Sequence, residues 1–580
     1  MKFDEKLFRN PTAKYRGAPF WAWNCALTPE LLKSQIGTFK KMGFGGFYMH
    51  SRTGLASEFM GDEYLKAVEF CVKTAKEESM LAYLYDEDRW PSGVGGGFVT
   101  ENPEFRSRYL CFTPFAYGEG KSFDVEFTAQ ATAGRNEKGR LLSCYDVVLD
   151  DCGFISHYER IPETKAPRGT KWYAYLETEQ PSDWYNGNTY VDTLNKKAIE
   201  QFLAVVHEKY KALLGDEFGK TIPNIFTDEP QFSHKTILSN PFSKEDVILP
   251  WTDDFADTYK RAYGDDILDF LPEIFWEKQD GISAARYRFH DHSTERFVSA
   301  FIDTVGEWCR ESGIKLVGHM MEEPTLQSQT SALGEAMRTY RSFGVVGIDM
   351  LCNSYEYNTV KQAQSVAHQR GLSGIMCEMY GVTGWDFDFR GHKSQGDWQA
   401  ALGVTHRVPH LAWMSMSGEA KRDYPASIGY QSPWYEKYNV IEDYFARLGT
   451  VLDSGNPVVR IAVIHPIESY WLMWGPDSQT SPQREEMEER FGELTKWLLF
   501  SGMDFDFICE SILPELCTDI GNPLKVGVMS YDAIIVPPLK NIRKTTADIL
   551  KTFASKGGKL IFLEKEPGYI NLEARTLEFT

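Results

Sequence analysis

The chain has 580 residues, with 62 Lys and Arg against 82 Asp and Glu, for a formal net charge of −20. That balance opposes nucleic acid, whose binding needs a basic face and counterion release, and it equally opposes docking on anionic lipid. Hydrophobic residues at 42% and aromatic residues at 14% indicate a folded globular chain, long enough at ~150 residues per domain for more than one domain.

No stretch approaches the roughly 18 apolar residues that span a bilayer. The opening Met1 to Lys6 lacks the apolar core of a signal peptide, so a cytoplasmic location is expected. Ten cysteines without a C-x-x-C pair favour buried reduced thiols over a zinc ribbon or a redox pair.

From about residue 17 to 418, short apolar runs alternate with amphipathic stretches, the pattern of parallel βα units. Ala18–Asn24 is the first run. Thr28 then caps a helix with Pro29 at its first position and Leu31, Leu32, Ile36, Phe39 and Met42 at helical spacing. Gly45–Arg52 is the second run, followed by a helix over about 62–78, and Leu81–Asp88 is the third. Alternating stretches at Lys121–Phe127 and Lys171–Leu176 predict a β-rich insertion over about 105–193. A helix over 195–214 leads to the fourth run, Ile222–Glu229, and a mostly helical insertion occupies about 233–311. Ile314–Glu323, Val345–Leu351, Gly374–Tyr380 and Leu411–Met416 complete the series. Eight such strands predict an α/β fold, a (β/α)8 TIM barrel, over residues 1–455.

After a helix at 436–453 the rhythm restarts. Strands at Val459–His465, Phe505–Ile508, Asp532–Pro537 and Lys559–Leu563, with helices at 484–501 and 545–556, predict a smaller doubly wound α/β domain over 456–580. It carries no G-x-G-x-x-G or Walker glycine pattern, which argues against a nucleotide.

Chemistry in such a barrel sits at the C-terminal ends of the strands. Those ends carry Trp23 and Asn24; His50 and Arg52; Asp86, Glu87, Asp88 and Arg89; Asp228 and Glu229; His319, Glu322 and Glu323; Asp349 and Asn353; Glu378 and Tyr380; and Trp413. Glu229 and Glu378 face each other from the fourth and seventh strands. That placement suits the two carboxyl groups that open a glycosidic bond. Asp228 is placed to orient substrate or to raise its neighbour's pKa. Glu323 or Glu322 is the alternative second carboxylate. The acids of Asp86–Asp88 suit sugar hydroxyls, with calcium as a weaker option because the spacing fits no calcium loop. Trp21 is expected in the core and Trp23, with Trp90 and Trp413, against the C–H faces of a sugar. His50 and His319 are expected to bind hydroxyls. Cys377 precedes Glu378 and points to the other face, so it is not a nucleophile.

Phe8–Pro11, Tyr15-Arg16, Pro19–Asn24, Gly43–His50, Arg52–Leu55 and Tyr85–Gly93 together resemble the opening of glycoside hydrolase family 106, and Thr227–Pro230 adds to the likeness. That family contains α-L-rhamnosidases described as inverting and calcium-assisted. The resemblance implies Glu229 as general acid and leaves the second carboxylate between Glu378 and the Glu322/Glu323 pair. Residues 458–567 are similar to the flavodoxin-like domain that follows the barrel in family 42 β-galactosidases, where the corresponding acids act with retention. Those enzymes carry Asn-Glu where this chain has Asp228-Glu229.

The expected activity is therefore an exo-acting hydrolase of a terminal sugar, an α-L-rhamnoside or a relative. It would act on a carbohydrate substrate and need no cofactor for the chemistry. The alternatives are a retaining β-galactosidase-like enzyme and a non-catalytic carbohydrate-binding protein. The doubly wound domain, without a site signature of its own, is available for an interface between copies of the chain.

Overall fold

The computed structural model describes residues 3–120 and 135–577. Parallel strands Phe20–Trp23, Gly46–Ser51, Leu81–Tyr85, Asn224–Asp228, Lys315–His319, Val345–Met350 and Ile375–Met379 follow one another around a barrel in sequence order. The eighth strand is split. Val404–Pro409 pairs with the seventh strand, and Ala412–Trp413 pairs with the first, which closes the ring. The Leu411–Met416 expectation therefore caught only the second half, because Thr405, His406 and Arg407 interrupt the apolar run. Arg407 lies buried against Glu442 at 2.6 Å, and Glu442 also accepts the Gly17 N–H at 2.7 Å.

The outer helices form where the sequence provides both an apolar stripe and end signals. Pro29–Met42 starts at Thr28, whose hydroxyl accepts the Leu31 N–H, and ends at Gly43 in the left-handed region. Its buried Leu32, Ile36, Phe39 and Met42 pack on the sheet. Inside the barrel, Phe20, Tyr48, Tyr83, Tyr85 and Phe226 form a separate apolar cluster.

The insertion after the third strand is a five-stranded antiparallel sheet. Its order is Ile155–Ile161, Arg140–Leu149, Thr170–Thr178, Arg108–Thr113 and Val247–Trp251. The last strand comes from the stretch expected to be helical. Its five residues, all buried, are too short a signal to separate strand from helix by periodicity. The Lys121–Phe127 expectation lies outside the described residues. Helices Phe255–Tyr263 and Ala284–Phe297, the latter continuing through 311, make up the rest of the second insertion.

The C-terminal unit is a parallel sheet in the order Phe505–Ile508, Ile461–Ile464, Ala533–Val536, Lys559–Phe562, flanked by helices Asp477–Phe500 and Lys544–Ser555. It meets the barrel through buried charge. Arg338 reaches Asp291 and Glu335 at 2.8 Å each, and Arg543 reaches Asp291 at 2.7 Å and Glu468 at 2.8 Å. Cys509 and Ser511 donate to Glu335 from the C-terminal side. Among the described residues no helix is long and apolar enough to cross a membrane.

Removing one partner from such a seam leaves buried charge uncompensated. Arg338→Met is expected to lower the urea midpoint by the equivalent of about 3–5 kcal/mol. A midpoint equal to that of the parent chain would show that the seam carries no such load.

Candidate active site

Strand alternation extends the interior cluster up to the barrel mouth. Two residues beyond an inward side chain, the next one points inward again. The last inward residues of the second to eighth strands are His50, Tyr85, Asp228, His319, Asp349, Glu378 and His410. This ring is titratable at every position.

His319 is its centre. Its Nε2–H donates to Glu378 Oε2 at 2.9 Å and lies 3.2 Å from Asp228 Oδ1, while Nδ1 faces the Met320 carbonyl at 3.4 Å. Burial works against a charged imidazole, but Glu378, Asp228 and Asp349 raise its pKa well above the usual value. The close approach depends on Gly318, at φ +143°, where an added Cβ would meet the Thr227 carbonyl oxygen of the fourth strand at 1.9 Å. Asp228 also accepts from the Tyr85 hydroxyl.

Glu229 is the first residue past the fourth strand. At φ +48° it leaves the alternation and turns over the mouth, among Asp228, His319, Glu378 and Glu323. Its Oε2 is buried without a hydrogen-bond partner. Burial and the neighbouring acids, Asp228 foremost, hold its pKa well above the usual carboxylate range. Burial and the Asp228 charge keep Glu378 above the usual carboxylate range too, but the His319 bond and the Arg52 charge offset part of that rise. The two carboxyl groups therefore differ in environment: one isolated among acids, one tied to a cation.

Above the ring, Arg52 is buried with Nη1 3.5 Å from His50 Nε2 and Nη2 3.2 Å from Asp423. Its guanidinium lies over the rings of Trp90 at 4.9 Å and of Trp413 and Tyr424 at 5.7 Å each. His50 packs on Tyr85 at 4.0 Å and is kept neutral by burial, with Arg52 and His410 adding to the effect.

Other expected residues lie elsewhere. Trp23 shares the outer face of its strand with Trp21 and packs on Tyr64 at 5.5 Å, because Phe20 and Ala22 take the inward positions. Asn24 is spent on both backbone groups of Ser415. Asp86, one step past inward Tyr85, falls behind the sheet, accepts from Ser92 at 2.6 Å and lies 3.9 Å from His207. Arg89 pairs locally with Asp88 at 3.0 Å. Tyr380 is buried on the outer face and donates to the His392 carbonyl at 3.0 Å, and Asn353 is exposed. Glu322 is half-buried beside the charge of Glu356. Glu323 accepts from the Met320 N–H at 2.8 Å and the Tyr340 hydroxyl at 3.1 Å, with burial raising its pKa to about 7.

Glu87 has a different task. Its carboxylate accepts five backbone N–H groups, from Asp88, Gly93, Val94, Gly95 and Gly96, at 2.6–3.0 Å. Gly93, Gly95 and Gly96 all have positive φ, which turns these amides onto one point. The acid fixes the loop that carries Trp90 and Ser92, with both of its oxygens committed to backbone amides.

The Asp86–Asp88 acids thus do not converge on a calcium ion. Among the described residues, Asp228, His319 and Glu378 offer ligand atoms within 4.8 Å of one another. One imidazole and two carboxylates differ from the all-oxygen cage that calcium takes.

Tyr85, His410 and Tyr424 went unnoticed in the sequence. Alternation from Tyr83 would have found Tyr85; the polar first half of the eighth strand hid His410. A half-open cleft of about 1070 Å3 lies apart from this ring, between the Asp477–Phe500 helix and the Pro537–Lys540 and Phe562–Glu566 turns, and contains none of its residues.

No protein-family model and no curated protein matches the chain. Solved structures do. A rhamnosidase from Novosphingobium sp. PP1Y aligns with a TM-score of 0.64 at 13% identity, covering 98% of this chain and 70% of that one. A cold-adapted β-galactosidase from Rahnella sp. R3 aligns at 0.57 and 11% identity, covering 99% and 74%. A family 42 β-galactosidase from G. stearothermophilus aligns at 0.56 and 10%, covering 98% and 75%. The chain is similar to these in fold: a TIM barrel followed by a further α/β domain.

Truncating Glu87 strands five donors in a partly closed loop. Glu87→Ala is expected to cost about 3 kcal/mol and to speed hydrogen exchange at residues 93–96. Unchanged protection there would show that the loop holds itself.

Proposed function

We propose that the chain is a glycoside hydrolase in which Glu229 is the general acid and Glu378 the second carboxylate. One observation carries this reading. Glu229 Oε2 is buried and unpartnered among acids, while Glu378, in the same mouth, is hydrogen-bonded by His319 at 2.9 Å. The first environment favours a proton and the second favours a charge, which is the division of labour that opening a glycosidic bond requires. Glu229 would donate to the leaving oxygen, and Glu378 would act on the anomeric carbon or on a water. Glu323 is the weaker second carboxylate because the Met320 amide and the Tyr340 hydroxyl already occupy it.

For the sugar, a terminal α-L-rhamnoside is the reading supported by the residues of 8–97 and by the likeness to the Novosphingobium rhamnosidase. The β-galactosidases of similar fold make a β-galactoside the second substrate to try.

A panel of 4-nitrophenyl glycosides tests both. Glu229→Gln is expected to lower kcat/KM by about 10²–10⁴-fold on the substrate that is turned over. Glu229 works protonated, so activity is expected to fall as pH rises through its raised pKa; Glu378 works ionised, so activity falls as pH drops through its own. The Gln variant should lose the alkaline limb alone. Full activity in Glu229→Gln, or an unmoved alkaline limb, would rule out the acid assignment.

A further inference from the structure

The carboxyl groups of the mouth can be sorted by what holds them. Asp228 is taken by Tyr85 and His319, Glu378 by His319, and Glu323 by Met320 and Tyr340. Two buried carboxyl oxygens there have no partner: Glu229 Oε2 and Asp349 Oδ1. The proposed proton donation accounts for the first. It leaves the second unexplained, and an unpartnered buried oxygen costs stability unless something else satisfies it.

Val345 belongs to the interior cluster, so alternation turns Asp349 inward, and its strand partner in register is Glu378. Neighbouring parallel strands stand about 4.8 Å apart, which sets the two side chains next to each other on the inner wall. The strongest charges acting on Asp349 are those of the mouth: Glu378, His319, Glu229 and Glu323.

A sugar whose anomeric carbon faces Glu378 presents a neighbouring ring atom to Asp349. The anomeric carbon has two ring neighbours, the ring oxygen and C2, and of these C2 carries a hydroxyl. We propose that Asp349 binds the 2-hydroxyl of the sugar at the cleavage site and selects for sugars that have one. This rests on the reading of Glu378 as the carboxylate at the anomeric carbon. A hydroxyl donating to Oδ1 would satisfy the orphaned oxygen, and contacts to the 2-hydroxyl are among those that strengthen as the oxocarbenium-like transition state forms.

The test is a cycle between residue and substrate. The 4-nitrophenyl glycoside turned over best and its 2-deoxy counterpart are compared in the parent chain, Asp349→Ala and Asp349→Asn. The parent ratio of kcat/KM for the two substrates is expected to shift by about 10–100-fold toward the 2-deoxy substrate in Asp349→Ala. Asp349→Asn, which keeps an acceptor oxygen, should retain part of the original ratio. Melting shifts with L-rhamnose, D-galactose and their 2-deoxy analogues provide a second readout that needs no turnover, and they report whether each variant is folded. Turnover with a ratio unmoved in Asp349→Ala overturns the assignment and leaves the hydrolase reading in place. Sugar binding that needs both the 2-hydroxyl and Asp349, without turnover in the parent chain, overturns the hydrolase reading and with it the cleavage-site assignment, leaving Asp349 as a 2-hydroxyl contact of a binding site. Absence of both turnover and binding overturns the two together.

Discussion

The mouth of the barrel is organised by a single shared proton donor. His319 sits between Asp228 and Glu378, which come from the fourth and seventh strands. Without a cation there, two buried carboxylates would face each other in a site of low polarity, where a lone charge is strongly disfavoured. The imidazole therefore makes it feasible for these acids to sit in the ring at all. It also fixes them, since each has one oxygen committed to His319 and Asp228 has the other committed to Tyr85. What remains free to act is decided by what this network leaves over.

Backbone geometry and distant support then hold the network in place. Gly318 lets the fifth strand approach the fourth closely enough for His319 to reach Asp228. The loop after the fifth strand, which carries Glu323, is anchored from two directions. Gln329 and Gln362 both donate to the Glu323 carbonyl, and His465 of the C-terminal unit bonds Gln362 at 2.8 Å. Glu488 of the same unit accepts the Leu326 and Gln327 N–H groups at the start of the next helix. The C-terminal unit thus contributes no side chain to the ring but fixes the loop on one flank of it. Arg52 does similar work on the other flank, joining the Trp90 loop to Asp423 and Tyr424 after the eighth strand.

Much of this was legible in the sequence, and the failures have physical causes. Apolar runs located seven of the barrel strands because a parallel strand is buried on both faces and reads as a continuous apolar stretch. The eighth strand escaped where Arg407 is neutralised by Glu442, a partner 35 residues away. The sequence shows which residues end the strands, but the direction of each depends on where the alternation starts. Trp23 and Asp86 lie at strand ends, yet each is one step from an inward residue and so faces the helices. Glu87 looked like a ligand-binding acid because sequence shows the charge but not the five amides that a run of positive-φ glycines aims at it. Glu229 shows the reverse: strict alternation would have sent it outward, and only its left-handed backbone brings it over the site.

Part of the chain's excess of acidic residues is concentrated in the barrel mouth. Asp228, Glu229, Glu323, Asp349 and Glu378 share one mouth with His319 and Arg52, so five acids meet two cations. Like charges at such distances cannot all persist, and the protons go where hydrogen bonding to a carboxylate is weakest. Asp228 and Glu378 have donors; Glu229 and Asp349 have oxygens with none. A protonated Glu229 is then a property of the whole ring rather than of its own pocket, because each neighbouring charge contributes to holding the proton. The same logic makes Asp349 a group whose protonation follows the occupancy of the site. A cation arriving near the mouth would favour its charge, and a neutral sugar would leave it neutral or let it accept a hydroxyl. An acidic ring balanced in this way suits an uncharged polyhydroxylated ligand better than an anionic one, which would add a further negative charge to a mouth already short of cations.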